Sequence, residues 1–288
     1  MSDPVAAIAE DTATGALAEI FEDIRQVLAV KVVNLVWRHL ATIDGALPWA
    51  WSCLRPLYVD GSVGLKARAL RRTLALPSAP SPTAAVFAGL GLDRDALRGI
   101  GDVLDAYDRT NAMALVALSA LCSVLAGGVP AGVSARQRVA ERPRAISLPP
   151  LPVLNELSRE TAALVVALNG FGTRRSEPVL ASMYRHLAYW PPYLAFAWLF
   201  LAPIDADGRL TAAIDEARST AARHAAALLP AMGHPPSALS PGLASSIAAA
   251  LEPFVGDVIL KLVVICALLR RATPGGEATG GGLEGVNS

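Results

Sequence analysis

The chain has 288 residues, 53% of them hydrophobic and 17% charged, and its 25 basic and 25 acidic side chains cancel to a formal net charge of zero. With no basic tract interleaved with aromatics, that balance excludes the electrostatic footprint of a nucleic-acid-binding protein. A mean hydropathy of +0.43 raises the question of a membrane, but 192–204 is too short to span one, 244–269 carries Glu252, Pro253, Asp257 and Lys261, and 112–128 reads as a buried core helix.

Apolar residues recur at helical spacing almost throughout, and no segment alternates well enough to form a strand, so the predicted fold class is all-α. In chain order the spacing predicts helices over 16–29, 32–43, 46–59, 64–76, 93–108 and 111–126. A second set is predicted over 152–169, 178–189, 192–202, 208–229, 241–255 and 257–271, punctuated by Pro178, Pro191, Pro203 and Pro235. Residues 129–150 hold Pro, Gly and four arginines without apolar periodicity and read as a linker. Residues 274–288 are glycine-rich and read as a disordered tail. The arginines of the linker are read as solvated charges rather than a patch for an acidic partner.

The two sets of helices resemble each other. Trp37, Arg38, His39, Leu40 and Ala41 recur as Tyr184, Arg185, His186, Leu187 and Ala188, 147 positions later, and the same offset aligns Leu104, Tyr107, Leu115 and Leu121 with Leu251, Phe254, Leu262 and Leu268. Asp93 and Ser240 fall at equivalent places as helix N-caps. The expected architecture is two tandem six-helix repeats, 1–128 and 151–273, packed as a pseudo-dimer with a site between them.

No basic segment precedes an apolar run at the start of the sequence, so a cytoplasmic location is expected. Cys53, Cys122 and Cys266 are isolated and read as small buried hydrophobes. His39 and His186 occupy equivalent positions, but neither has a carboxylate or cysteine at ligand spacing, and a packing role is the simpler reading. The cluster of Trp37, Trp49, Trp51, Trp190 and Trp198 reads as core, although a dry aromatic pocket also suits a small apolar ligand. Asn111 is either an N-cap or an amide turned toward the space between the halves. No nucleophile triad, phosphate loop or zinc motif is present in the sequence.

On Glu22, Asp23, Ile24 and Arg25, on 33–48 (VNLVWRHLATIDGALP), on 104–121 around Asn111 and on 182–194 (SMYRHLAYWPPYL), the chain resembles the group I 2-haloacid dehalogenases, also called the halocarboxylic acid dehydrogenase family. The resemblance implies an all-α pseudo-dimer, a homodimer in solution, no metal or cofactor, and a small organic acid bound between the repeats. It implies hydrolysis of 2-haloalkanoic acids by direct attack of water on the α-carbon. The aspartate that would take the proton of that water falls at position 183, which here is Met183. The resemblance further assigns Asn111 to hold water or substrate, Ser182 to contact the substrate carboxylate, and Val32 and Leu35 to line the pocket. Glu177 and Asp257 are the alternative carboxylates, read more simply as helix-start charges. The alternative function is a non-catalytic helical protein that binds a small apolar acid or serves as a dimerisation scaffold.

Overall fold

The computed structural model describes residues 5–128, 148–233 and 238–274, so all of the expected linker before residue 148 and all of the expected tail beyond Pro274 lie outside the described residues. Among the described residues the regular structure is helical, with no strand. The first set comprises α1 (Gly15–Leu28), α2 (Leu35–Leu40), α3 (Ala46–Val59), α4 (Ser62–Arg72), α5 (Ala84–Gly89) and α6 (Arg94–Leu125). The second comprises α7 (Arg159–Gly170), α8 (Ser182–Leu187), α9 (Pro191–Ala206), α10 (Arg209–Ala226), α11 (Pro241–Pro253) and α12 (Ile259–Ala272), with a π-helical turn, Phe254–Val258, joining the last two.

Local chemistry sets the ends. Asp93 and Ser240 accept the backbone N–H groups of Ala96 and Leu243, each satisfying an otherwise orphaned donor at a helix start. Gly61 and Gly208, at φ of 82° and 80°, make the left-handed turns from α3 into α4 and from α9 into α10, a backbone region in which a Cβ is strained. Element bounds keep the sequence offset: α2 and α8, Arg94–Leu125 and Pro241–Ala272, and the starts of α4 and α10 are each 147 positions apart.

Two expected helices, 93–108 and 111–126, are a single 32-residue helix, α6. Asn111 is therefore in a helix interior and not an N-cap. The polar run Asp108–Asn111 looked like a break, but Asp108 pairs with Arg71 and Arg270, and Thr110 Oγ1 donates to the Ala106 carbonyl. Helix α5 was not predicted. Its six residues are too few to show periodicity, and Phe87, packed edge-on against Phe196 with ring centroids 4.9 Å apart, anchors it.

Helix α6 is the spine of the core. It packs along α12 and against α4, α10, α11 and α8, and fourteen of its residues are buried. Helix α2 rests on α11 and α8 on α6, so these two short helices, one from each set, each meet the long helical segment of the other set. No helix among the described residues is long and apolar enough to cross a membrane.

Candidate functional site

Helix α8 is aimed at the core by the side chain of Asn169 on α7, whose amide donates to the Val179 carbonyl at 3.1 Å and accepts from the Ala181 N–H at 3.0 Å. This buried clamp fixes the backbone just before Ser182 and turns Met183 inward, where it is fully buried. Across from it, Asn111 on α6 directs Nδ2 at Cys266 Sγ of α12, 3.9 Å away, and that sulfur lies 3.1 Å from Met183 Sδ. Amide, thiol and thioether thus form one buried row spanning α6, α12 and α8.

The row holds no group able to take a proton from water at neutral pH. A thioether is a weak acceptor with no basic form in this range. Burial raises the Cys266 thiol well above its ordinary value, so it stays protonated. The carboxylate whose charge reaches Cys266 is Asp108. It is clamped by Arg71 at 2.5 Å and Arg270 at 3.0 Å; burial pushes its pKa upward and the two guanidiniums oppose that shift. A carboxylate committed to two ion pairs is poorly placed to receive a further proton.

Beside the row lies a second polar pair. Tyr107 Oη is 2.7 Å from His186 Nδ1, and His186 Nε2 is 3.1 Å from the carbonyl of Pro149. A carbonyl only accepts, so Nε2 carries the proton and Nδ1 accepts from the tyrosine. Burial holds His186 below its ordinary value and keeps the ring neutral. Ser182 lies close enough to the same tyrosine to lower its pKa, against the larger upward push of burial, which brings it into this group. The Tyr184 hydroxyl is buried and has no hydrogen-bond partner among the described residues.

Of the residues singled out from the sequence, Asn111 and Met183 meet through Cys266, and Ser182 joins Tyr107 one position away. Leu35, the first residue of α2, packs on the core half-buried, while Val32 sits in the loop before it with 59% of its surface exposed. Glu177 is exposed in the loop between α7 and α8, and Asp257 is buried in the π-helical turn; neither is in the row. Sequence reasoning missed Cys266, Tyr107 and His186 as neighbours of Asn111. The available signal was the offset itself: Tyr107 packs on His186 and Phe254 packs on His39, both at a centroid distance of 5.7 Å, and 147 positions separate Tyr107 from Phe254 and His39 from His186.

An all-α architecture with a buried site between α6, α8 and α12 defines the class. No protein-family model matches the sequence, and no curated protein matches it. Solved structures do. The chain is similar to a D-2-haloacid dehalogenase mutant in complex with D-2-CPA, with a TM-score of 0.71 at 17% identity over 94% of this chain and 95% of that one. It is likewise similar to a D-2-haloacid dehalogenase with L-LA (0.68, 18%, 94% and 97%) and to another mutant of such an enzyme (0.66, 18%, 94% and 96%). At these identities the likeness is one of fold.

Proposed function

We propose that the protein is a divergent relative of the 2-haloacid dehalogenases that keeps their interhelical site for a small organic acid but lacks the base that direct attack of water requires. The observation that carries this reading is the contact of Met183 Sδ with Cys266 Sγ at 3.1 Å, both residues fully buried. In the expected reaction a carboxylate at position 183 removes a proton as water attacks the α-carbon and halide leaves. A positioned general base supplies about a hundred- to ten-thousandfold in rate. With a thioether in that place, hydrolysis of 2-haloacids is expected at background. Asn111 then serves to hold a polar ligand atom, Ser182 the ligand carboxylate, and Leu35 and Val32 the apolar side of the site.

A second reading, favoured by the neutral ring of His186 and its bond from Tyr107, gives the proton to His186 Nδ1 with Tyr107 as relay. The two readings separate on halide release from 2-chloropropionate by the natural protein, Met183→Asp and His186→Gln. A base-less protein releases none and gains activity only with aspartate at 183; a histidine base gives release in the natural protein that is lost in His186→Gln.

We further infer that 1–128 and 151–273 arose by duplication and pack as a pseudo-dimer. Support comes from the shared offset of helix bounds and from the reciprocal Tyr107–His186 and Phe254–His39 pairs, since a twofold interface repeats each contact with its partners exchanged. The same reading makes the protein a cytoplasmic, cofactor-independent homodimer.

A further inference from the structure

A cavity of about 290 Å³ opens away from the Asn111–Met183 row, between α10, the loop after α7 and the π-helical turn. Its walls carry Arg174, Arg175, Arg218, Thr211, Glu252 and Asp257. Most of these charges are already paired. Arg174 meets Asp215 at 2.7 Å and Arg175 meets Glu252. Arg218 is different: it donates to the Gly256 carbonyl at 3.2 Å and makes no ion pair among the described residues.

Asp257 is the unusual wall. It is 6% exposed; Oδ1 accepts from Thr173 at 2.8 Å, while Oδ2 has no hydrogen-bond partner among the described residues and faces the fully buried Lys261 ammonium at 3.8 Å. Lys261 instead donates to the Asn169 carbonyl at 2.5 Å. The buried Nε of Arg175 also lacks an acceptor. One cavity therefore has an unused acceptor on one wall and unused guanidinium donors on another, and a buried polar group left unpaired is costly.

The surrounding backbone is irregular in a way that shapes the cavity. Pro253 cannot donate and its ring crowds the preceding turn, and the helix widens into a π turn immediately after it, a feature that recurs at functional sites. A Cβ at Gly256 would come within 2.8 Å of Glu252 Oε1. At the offset positions in the first set stand Thr110 for Asp257, Ala114 for Lys261 and Arg109 for Gly256, and α6 runs through without a π turn, so this constellation occurs once.

We propose that this cavity is a binding site for a small organic acid that carries a hydrogen-bond donor next to its carboxylate, a 2-hydroxy or 2-amino acid. The carboxylate meets Arg218 and Arg175 Nε, and the hydroxyl or ammonium donates to Asp257 Oδ2. This site is separate from the row at Met183 and does not depend on the function proposed for it.

The test is isothermal titration of the full-length protein with lactate, alanine and propionate at one ionic strength. Saturable binding of lactate or alanine is expected, with propionate, which has no donor, at least about tenfold weaker because Asp257 Oδ2 is left without a hydrogen bond. Tighter lactate identifies a hydroxy acid and tighter alanine an amino acid. Arg218→Gln, at an exposed position, and Asp257→Asn should each weaken the binding belonging to this cavity by at least about tenfold, which separates it from any acid held at the Met183 row. Folding of each variant is checked by circular dichroism, and Arg218→Gln alone is decisive if Asp257→Asn does not fold. Absence of saturable binding, equal binding of propionate, or binding indifferent to Arg218→Gln overturns the proposal.

Discussion

His186 shows how one buried side chain makes the protein sensitive to pH. Its pKa is lowered from 6.5 by burial, so the folded state favours the neutral ring. That contribution to stability is complete above 6.5 and is lost as pH falls from there through the folded-state value, where the unfolded chain binds the proton more readily. Thermal midpoints are expected to drop between about pH 7 and about pH 5, and His186→Gln should flatten the profile, leaving the part from His224, whose pKa is shifted the same way. A profile unchanged by His186→Gln would show that the ring is protonated in place. Lys261 is the other exposed nerve of the core: wholly buried, its pKa lowered by burial, with Asp257 as its ionic partner. Lys261→Met should cost about 3–5 kcal/mol in urea unfolding by stranding the carboxylate, and Asp257→Asn combined with it should recover part of that loss. At this scale the sequence was a partial guide. Position 183 stood out only because a family pattern placed a carboxylate there, while Cys266 and His186 read as ordinary packing residues, since nothing in their spacing tells that α12 and α8 bring them beside Asn111 and Tyr107.

Helices were the most legible elements, because their periodicity is local and dense in Ala and Leu. The bounds of α3 and the cap positions Asp93 and Ser240 match what spacing and cap chemistry predict. Each cap fills one orphaned N–H, so Asp93→Ala and Ser240→Ala should each lower stability by about 1 kcal/mol, read as a shift in the denaturation midpoint at constant slope. A loss near zero in both would mean that packing of α6 and α11 holds those first turns without their caps. What spacing missed was decided by contacts distant in sequence. The polar stretch before Asn111 stays helical because Arg71 and Arg270 reach Asp108 from α4 and α12. Asp257, expected as a helix-start charge, lies within a π turn instead, since the helix runs on past Pro253 rather than ending there.

For the molecule as a whole, the arrangement of α6 against α12 with α8 and α2 crossing over explains why a buried polar site forms between the two sets of helices. The all-α class was readable from composition and period; the contents of the site were not, because they depend on which side chains meet across that interface. Helices α9 and α7, which pack together, expose Leu199, Trp198 and Val166, with Leu199 67% exposed, an apolar surface suited to a second copy. Light scattering on the 29.9 kDa chain is expected to give twice the chain mass, and Leu199→Asp to return it to the monomer. A monomeric natural protein would remove the homodimer from the proposed function without touching the site.

The central claim concerns chemistry at Met183, and chloride release from racemic 2-chloropropionate tests it most directly. The natural protein is expected to release chloride no faster than buffer, and Met183→Asp faster than both. Chloride release by the natural protein above the buffer rate would contradict the claim that the site has lost its base.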